Sequence, residues 1–249
     1  AGLAPLDILA RYAQLRPSCP IGQCYAYQNT AFDMAAAMIE KATGESYETR
    51  LRRRIFEPLG MTTASIGSAG LKASGNWARP HVREGQTWAP AETKEAYYRL
   101  PAAAGVNASV LDLAKWVIAQ TGARPDILPP DVLEEVRGPR INTVAETRRA
   151  RALKMPVNRS SYGLGWKIAD YAGHTLVQHS GSVEGYIAHV AYLPERRSGI
   201  VILSNTRGAR APKILPMWLD HELKLPKTDW MRLGEIPGFG SLAAGAPSE

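Results

Sequence analysis

The pattern of apolar and polar positions divides the chain into a helical front and a strand-rich back. Leu3, Ile8, Leu9, Tyr12 and Leu15 fall at helical spacing, and Pro17 and Pro20 end that run. A second helix is predicted over 30–43, capped by Thr30, with Asp33 at its third position and Gly44 as a left-handed stop. Its expected apolar face is Phe32, Ala35, Ala36, Met38, Ile39 and Ala42. Ser46 opens a third helix that carries Tyr47, Leu51 and Ile55 before Pro58. From Gly60 to Gly105 the chain turns irregular, with Trp77, Trp88, Tyr97 and Tyr98 spread through it, as the walls or lid of a site often are. Ser109 caps a helix over 110–120 with Gly122 just beyond its end, and Pro130 starts a short helix to Val136.

After Tyr162 the period changes. Segments 164–170, 175–179, 186–193 and 199–205 read as four strands, joined by turns at 171–173, 181–185 and 194–198. Connections this short require antiparallel neighbours. A final helix over 212–223 presents Leu215, Met217, Leu219 and Leu223. Helices first, a meander next and one closing helix give an α+β fold, an antiparallel sheet flanked by helices. The expected organisation is one domain over 1–230, with helices to about 140 and the meander and closing helix over about 162–225. A flexible Gly-, Ala- and Pro-rich tail then runs from 231 to 249.

A chain of 249 residues can bury a substantial core. Its formal charge of +7 would suit an anionic partner. However, the basic runs Arg50–Arg54 and Arg148–Lys154 lack interleaved aromatics and read as solvated helix faces, which argues against nucleic acid. No apolar run approaches the ~18 residues of a membrane span. The start shows no signal-peptide pattern, and the chain reads as beginning downstream of where one would lie. Cys19 and Cys24 leave two readings open. They could be two free thiols, or a small disulfide worth at most ~2 kcal/mol that would imply an oxidising compartment. The histidines are too dispersed for a metal cluster, so neither a metal nor an organic cofactor is expected.

Phosphate-loop, H-E-x-x-H and G-x-S-x-G signatures are absent from the sequence. What remains is an ordered series. Pro20-Ile21-Gly22 leads to Tyr27-Gln28-Asn29, then Ala42-Thr43-Gly44 and Ile55-Phe56-Glu57-Pro58-Leu59-Gly60-Met61. Ser109 to Trp116 follows, then Tyr162-Gly163-Leu164-Gly165-Trp166, His179-Ser180-Gly181-Ser182 and Gly185-Tyr186. Over about 20–225 this series resembles the class C β-lactamases and penicillin-recognising serine hydrolases. They carry S-x-x-K, Y-x-N and K-T-G elements. No Ser of this chain has Lys three residues on.

The resemblance implies the serine β-lactamase fold, incomplete at the N-terminus, with about a further hundred residues in front that the family usually needs. It implies acylation of a serine by a β-lactam, ester or D-peptide carbonyl, followed by hydrolysis. It makes Tyr27 a proton relay, Asn29 an orienting amide, and the Ser182 N–H an oxyanion donor. Gln28, Ser180 and Gly181 would bind substrate. His179 stands where the family commonly has lysine, and at a pKa near 6.5 it is only about a quarter protonated at pH 7. That weakens any carboxylate clamp and turns the expectation toward esters or D-amino-acid peptides beside β-lactams. Without the S-x-x-K lysine, Tyr27 should stay a neutral phenol. The chain alone is expected to be inactive, either as part of a longer hydrolase or as a non-catalytic binder of peptidoglycan-like ligands. Family members usually act in the periplasm or outside the cell.

Overall fold

The computed structural model describes residues 11, 12 and 14–235. Most of the predicted first helix and the tail beyond 235 lie outside the described residues. The centre of the molecule is a six-stranded sheet: β1 Ile141–Asn142, β2 Val157–Tyr162, β3 Lys167–Tyr171, β4 His174–Val183, β5 Tyr186–Leu193 and β6 Ser198–Ser204. All neighbours are antiparallel, and the strands lie side by side in chain order. Turns of a few residues join β2 through β6, as antiparallel pairing permits.

Five helices matter for the site: α1 Asn29–Thr43, α2 Val110–Ile118, α3 Pro130–Arg137, α4 Val144–Ala152 and α5 Ile214–Glu222. The period-2 alternation of the strands explains the layering. Leu176, Ala191, Leu193 and Ile202 pack with Leu215 and Leu219 of α5 on one face. Val177, Ile168 and Tyr192 pack with Val117 of α2, Trp166 and Val136 of α3 on the other. A separate helical core gathers Phe56, Leu59, Met61, Ala64, Ala119, Leu128 and Leu133. Asp112, 2% exposed, joins this core to the preceding loop by accepting from the N–H and hydroxyl of Thr63.

Gly44 and Gly122 adopt the positive φ expected of them, and Ser46 and Ser109 cap their helices by accepting from Thr49 N and Asp112 N. Other expectations need correction. The chain turns into α1 at Gln28, so Thr30 is inside the helix and contacts the Tyr12 hydroxyl instead of capping. Asp33 accepts from Ala102 N at 2.9 Å, fastening the short helix Pro101–Ala104 against α1. Of the apolar face assigned to α1, Ala36 is buried whereas Phe32 and Met38 are exposed. The segment 60–105 carries short elements, among them the hairpin His81–Glu84 with Thr87–Pro90.

In the sheet, β1 and β2 were not expected. Asn158, Arg159, Ser160 and Ser161 break the apolar alternation, yet the last two are buried where β2 pairs with β3. The strand expected from Leu164 starts at Lys167, because Gly163 N–H donates to Trp166 O across a turn with Gly165 at φ +83. Strand β4 continues past His179 to Val183, so the turn narrows to Glu184 and Gly185. Gly185 has φ +78, and a Cβ there would lie 2.4 Å from Pro80 Cβ. The glycine thus allows both the turn and its close seat against Pro80.

Candidate active site

A cleft of about 1220 Å³ runs between the helical core and the end of the sheet where β4 carries His179 to Ser182. Its floor is set by strand register. Lys167 of β3 pairs with Gln178, and Ser180 pairs with His189 of β5, so β3 stops one residue short of His179. His179 therefore stands beside the turn that begins after Tyr162. The two are linked, with Tyr162 Oη 3.1 Å from His179 Nε2.

Tyr27 arrives from the opposite wall, in the extended segment just ahead of α1. The Cys19–Cys24 pair is bonded and closes a short loop directly before that segment. The ring of Tyr27 is 6.0 Å from that of His179 and 6.4 Å from that of Tyr162. Tyr25 packs on Tyr162 at 4.9 Å, so three tyrosines surround the histidine's end of the cleft. Asn29, Ser180, Gly181 and Ser182 line the same cleft, whereas Gln28 is an exposed N-cap residue outside its lining.

Burial raises the pKa of Tyr27 above its ordinary value, and burial with the nearby Glu146 carboxylate pushes Tyr25 up to about 12. Tyr162 is raised further still by burial and its tyrosine neighbours. All three are neutral phenols near pH 7. His179 is held below its usual value by burial and the Lys167 charge, against an opposing pull from Glu146. It is accordingly neutral at pH 7 and presents no full positive charge to a ligand.

His189, whose Nε2–H donates to Gln178 Oε1 at 2.6 Å, is held down to about 4 by burial and by neighbouring His179 and Lys167. Its folded value lies below the ~6.5 of an unfolded histidine, so the unfolded chain binds the extra proton first. The stability tied to neutral His189 is complete above about pH 6.5 and is lost as the pH falls toward 4. The urea midpoint is expected to drop over pH 6.5 to 5, and His189→Gln to flatten that slope. An unchanged slope in the variant would place the titration elsewhere.

Glu146, Lys167, Tyr25 and Tyr162 belong to the cleft or its wall but were not singled out as site residues by the sequence. Helix α4 brings Glu146 in. Thr147 Oγ1 accepts from Ser160 N at 2.9 Å, and Arg151 donates to Val157 O, so the helix is tied along β2. Glu146 Oε1 then receives Lys167 Nζ at 2.9 Å. Helix-to-strand contacts of this kind leave no short motif; only the folded register reveals them.

A helical lobe is thus set against an antiparallel sheet, with Tyr27 and Asn29 at the entry to a helix and His179 to Ser182 on a strand, all lining one cleft. The chain belongs to the Beta-lactamase family, whose model matches residues 1–220. It is similar to the Unguisins hydrolase ungD' of Aspergillus campestris, 27% identical over 206 residues covering 80% of this chain and 36% of that protein. Among solved structures it is similar to the octameric penicillin-binding protein homologue from Pyrococcus abyssi. That match has a TM-score of 0.76 and 26% identity over 89% of this chain and 48% of the other. The D-stereospecific amidohydrolase from Streptomyces sp. shares the fold at a TM-score of 0.63 and 18% identity, over 82% of this chain and 57% of that one. The chain thus spans about a third to a little over half of these relatives' lengths.

Proposed function

We propose that these residues form the substrate-binding side of a serine hydrolase cleft that takes amide or ester carbonyls in preference to β-lactams. The neutral, partly buried His179 carries this reading. Where the K-T-G lysine would hold a β-lactam carboxylate as a charged donor, His179 offers only a neutral imidazole. The D-stereospecific amidohydrolase among the structural neighbours is in keeping with an amide substrate.

In this reading Ser182 N–H points at the developing oxyanion, a contact whose loss typically slows acyl transfer ~10²–10³-fold. Gly181 lets the substrate backbone lie against β4, Ser180 offers a hydroxyl, and the Asn29 amide orients the acyl group. Tyr27 relays the proton: its phenol passes one to the leaving group as it receives the one lost by the attacking serine. The attacking serine comes from an S-x-x-K element that none of the 249 residues supplies. The disulfide supports a periplasmic or secreted setting.

The 249-residue polypeptide is therefore expected to bind small amides and esters without turning them over. Incubation with nitrocefin or a p-nitrophenyl ester should leave hydrolysis at background. Intact mass after penicillin exposure should show no acyl adduct. Either turnover or a stable adduct would overturn the assignment of the nucleophile.

A further inference from the structure

Two ion pairs line the cleft, Lys94 with Glu184 and Glu146 with Lys167, and action on the His179 imidazole sets Glu146 and Lys167 apart. Both line the cleft, at side-chain exposures of 35% and 28%, and they meet at 2.9 Å between Oε1 and Nζ. A surface ion pair of this kind contributes little to stability, with a median of about 0–1 kcal/mol, so stability alone does not account for its place beside the reacting groups. Lys167 occupies one carboxylate oxygen, while an ionised carboxylate offers about four acceptor positions.

We propose that Glu146 is the anchor for a free ammonium group next to the scissile carbonyl, so that the cleft takes amino-acid amides and peptides with an unblocked N-terminus. This rests on the amide-or-ester reading above and narrows its substrate. The chemistry around the carboxylate favours a cation over an anion. Glu146 is close enough to Tyr25 and Tyr162 to raise both phenols. Tyr25 and Tyr27, which line the cleft, stay neutral and offer electron-rich rings to an ammonium. A ligand carboxylate in the same place would meet Glu146 itself. Glu146, Lys167 and His179 line the same cleft, and both charges act on the imidazole, which places the anchor at the His179 end. Lys167 then acts as a positioning residue that holds the carboxylate and competes mildly with the incoming cation.

Calorimetric titration of the 249-residue polypeptide with phenylalanine amide and N-acetyl-phenylalanine amide, both enantiomers, tests this at pH 6.5. The free amine is expected to bind at least ~10-fold more tightly in its better enantiomer, a difference of about 1.4 kcal/mol. Glu146→Gln should abolish that preference while leaving the acetylated amide unchanged, and Lys167→Met should enlarge it. Should Glu146→Gln fold poorly, a pH series on the parent chain serves instead. The preference should then fade above about pH 8, where an α-amino group loses its proton. Equal binding of the two amides, or a preference that Glu146→Gln leaves intact, would overturn the ammonium anchor alone. A preference lost in Lys167→Met would overturn it too, because a carboxylate freed of its competing lysine should hold the ammonium more tightly. Binding of neither amide would overturn both this anchor and the reading beneath it.

Discussion

Replacing Leu219 by Ala is expected to destabilise the chain by about 3 kcal/mol, seen as a lower urea midpoint at an unchanged slope. Leu219 is 0% exposed and sits in the middle of α5, flanked by Leu215 and Leu223, which share its cluster. Opposite it are Leu176, Ala191, Leu193 and Ile202 from three adjacent strands. Truncation removes the transfer energy of the lost methyl groups and leaves a cavity bounded by a hydrogen-bonded sheet, which cannot easily collapse. The sheet's other face packs on α2 and α3, so it has little freedom to follow. A loss below about 1 kcal/mol would mean that the layer has relaxed around the gap, contrary to the packing described.

His179→Lys should convert the cleft from one indifferent to carboxylates into one that retains them. At pH 7.5 benzylpenicillin is expected to bind the variant at least ~10-fold more tightly than the parent, equivalent to about 1.4 kcal/mol and within the range of a charge-assisted hydrogen bond. The pH dependence carries the sign. In the parent, His179 gains its proton only below its ordinary value, because burial and Lys167 hold it down. Carboxylate binding should therefore strengthen as the pH falls below about 6.5. In the lysine variant it should stay flat from pH 5 to 8. Titrations showing no gain at pH 7.5 would remove His179 from the substrate clamp and, with it, the argument against β-lactams.

Local chemistry was legible wherever one residue decides one turn. Gly44, Gly122, Ser46 and Ser109 act as read, because caps and left-handed stops depend on the backbone of a few neighbours. Thr30 misled because Asn29 and Gln28 could also open the helix, and a single sequence does not rank competing caps. Strand β2 was hidden by Asn158 to Ser161. Ser160 is buried, its backbone N–H and C=O bonded to Thr147 Oγ1 and Thr143 N–H, and a polar side chain gave no sign of that burial. Within the site, Tyr27 and His179 were visible through their motifs, and the fold brings their rings to 6.0 Å. Glu146 and Lys167 lie 21 residues apart with a helix, a strand and a turn between them, and no periodicity connects them.

Strand β4 has a division of labour along its length. Leu176 and Val177 are sealed into opposite faces of the sheet, whereas Ser180, Gly181 and Ser182 are exposed on the cleft. Substitutions in the second stretch meet ligand and solvent, and the anchoring pair holds the strand in place regardless. Such a strand can be retuned by single-codon steps, with the imidazole, hydroxyl and backbone donors as the variables and little threat to the fold. A lineage could drift between amide, ester and lactam diets through these positions while its core sequence stayed almost unchanged.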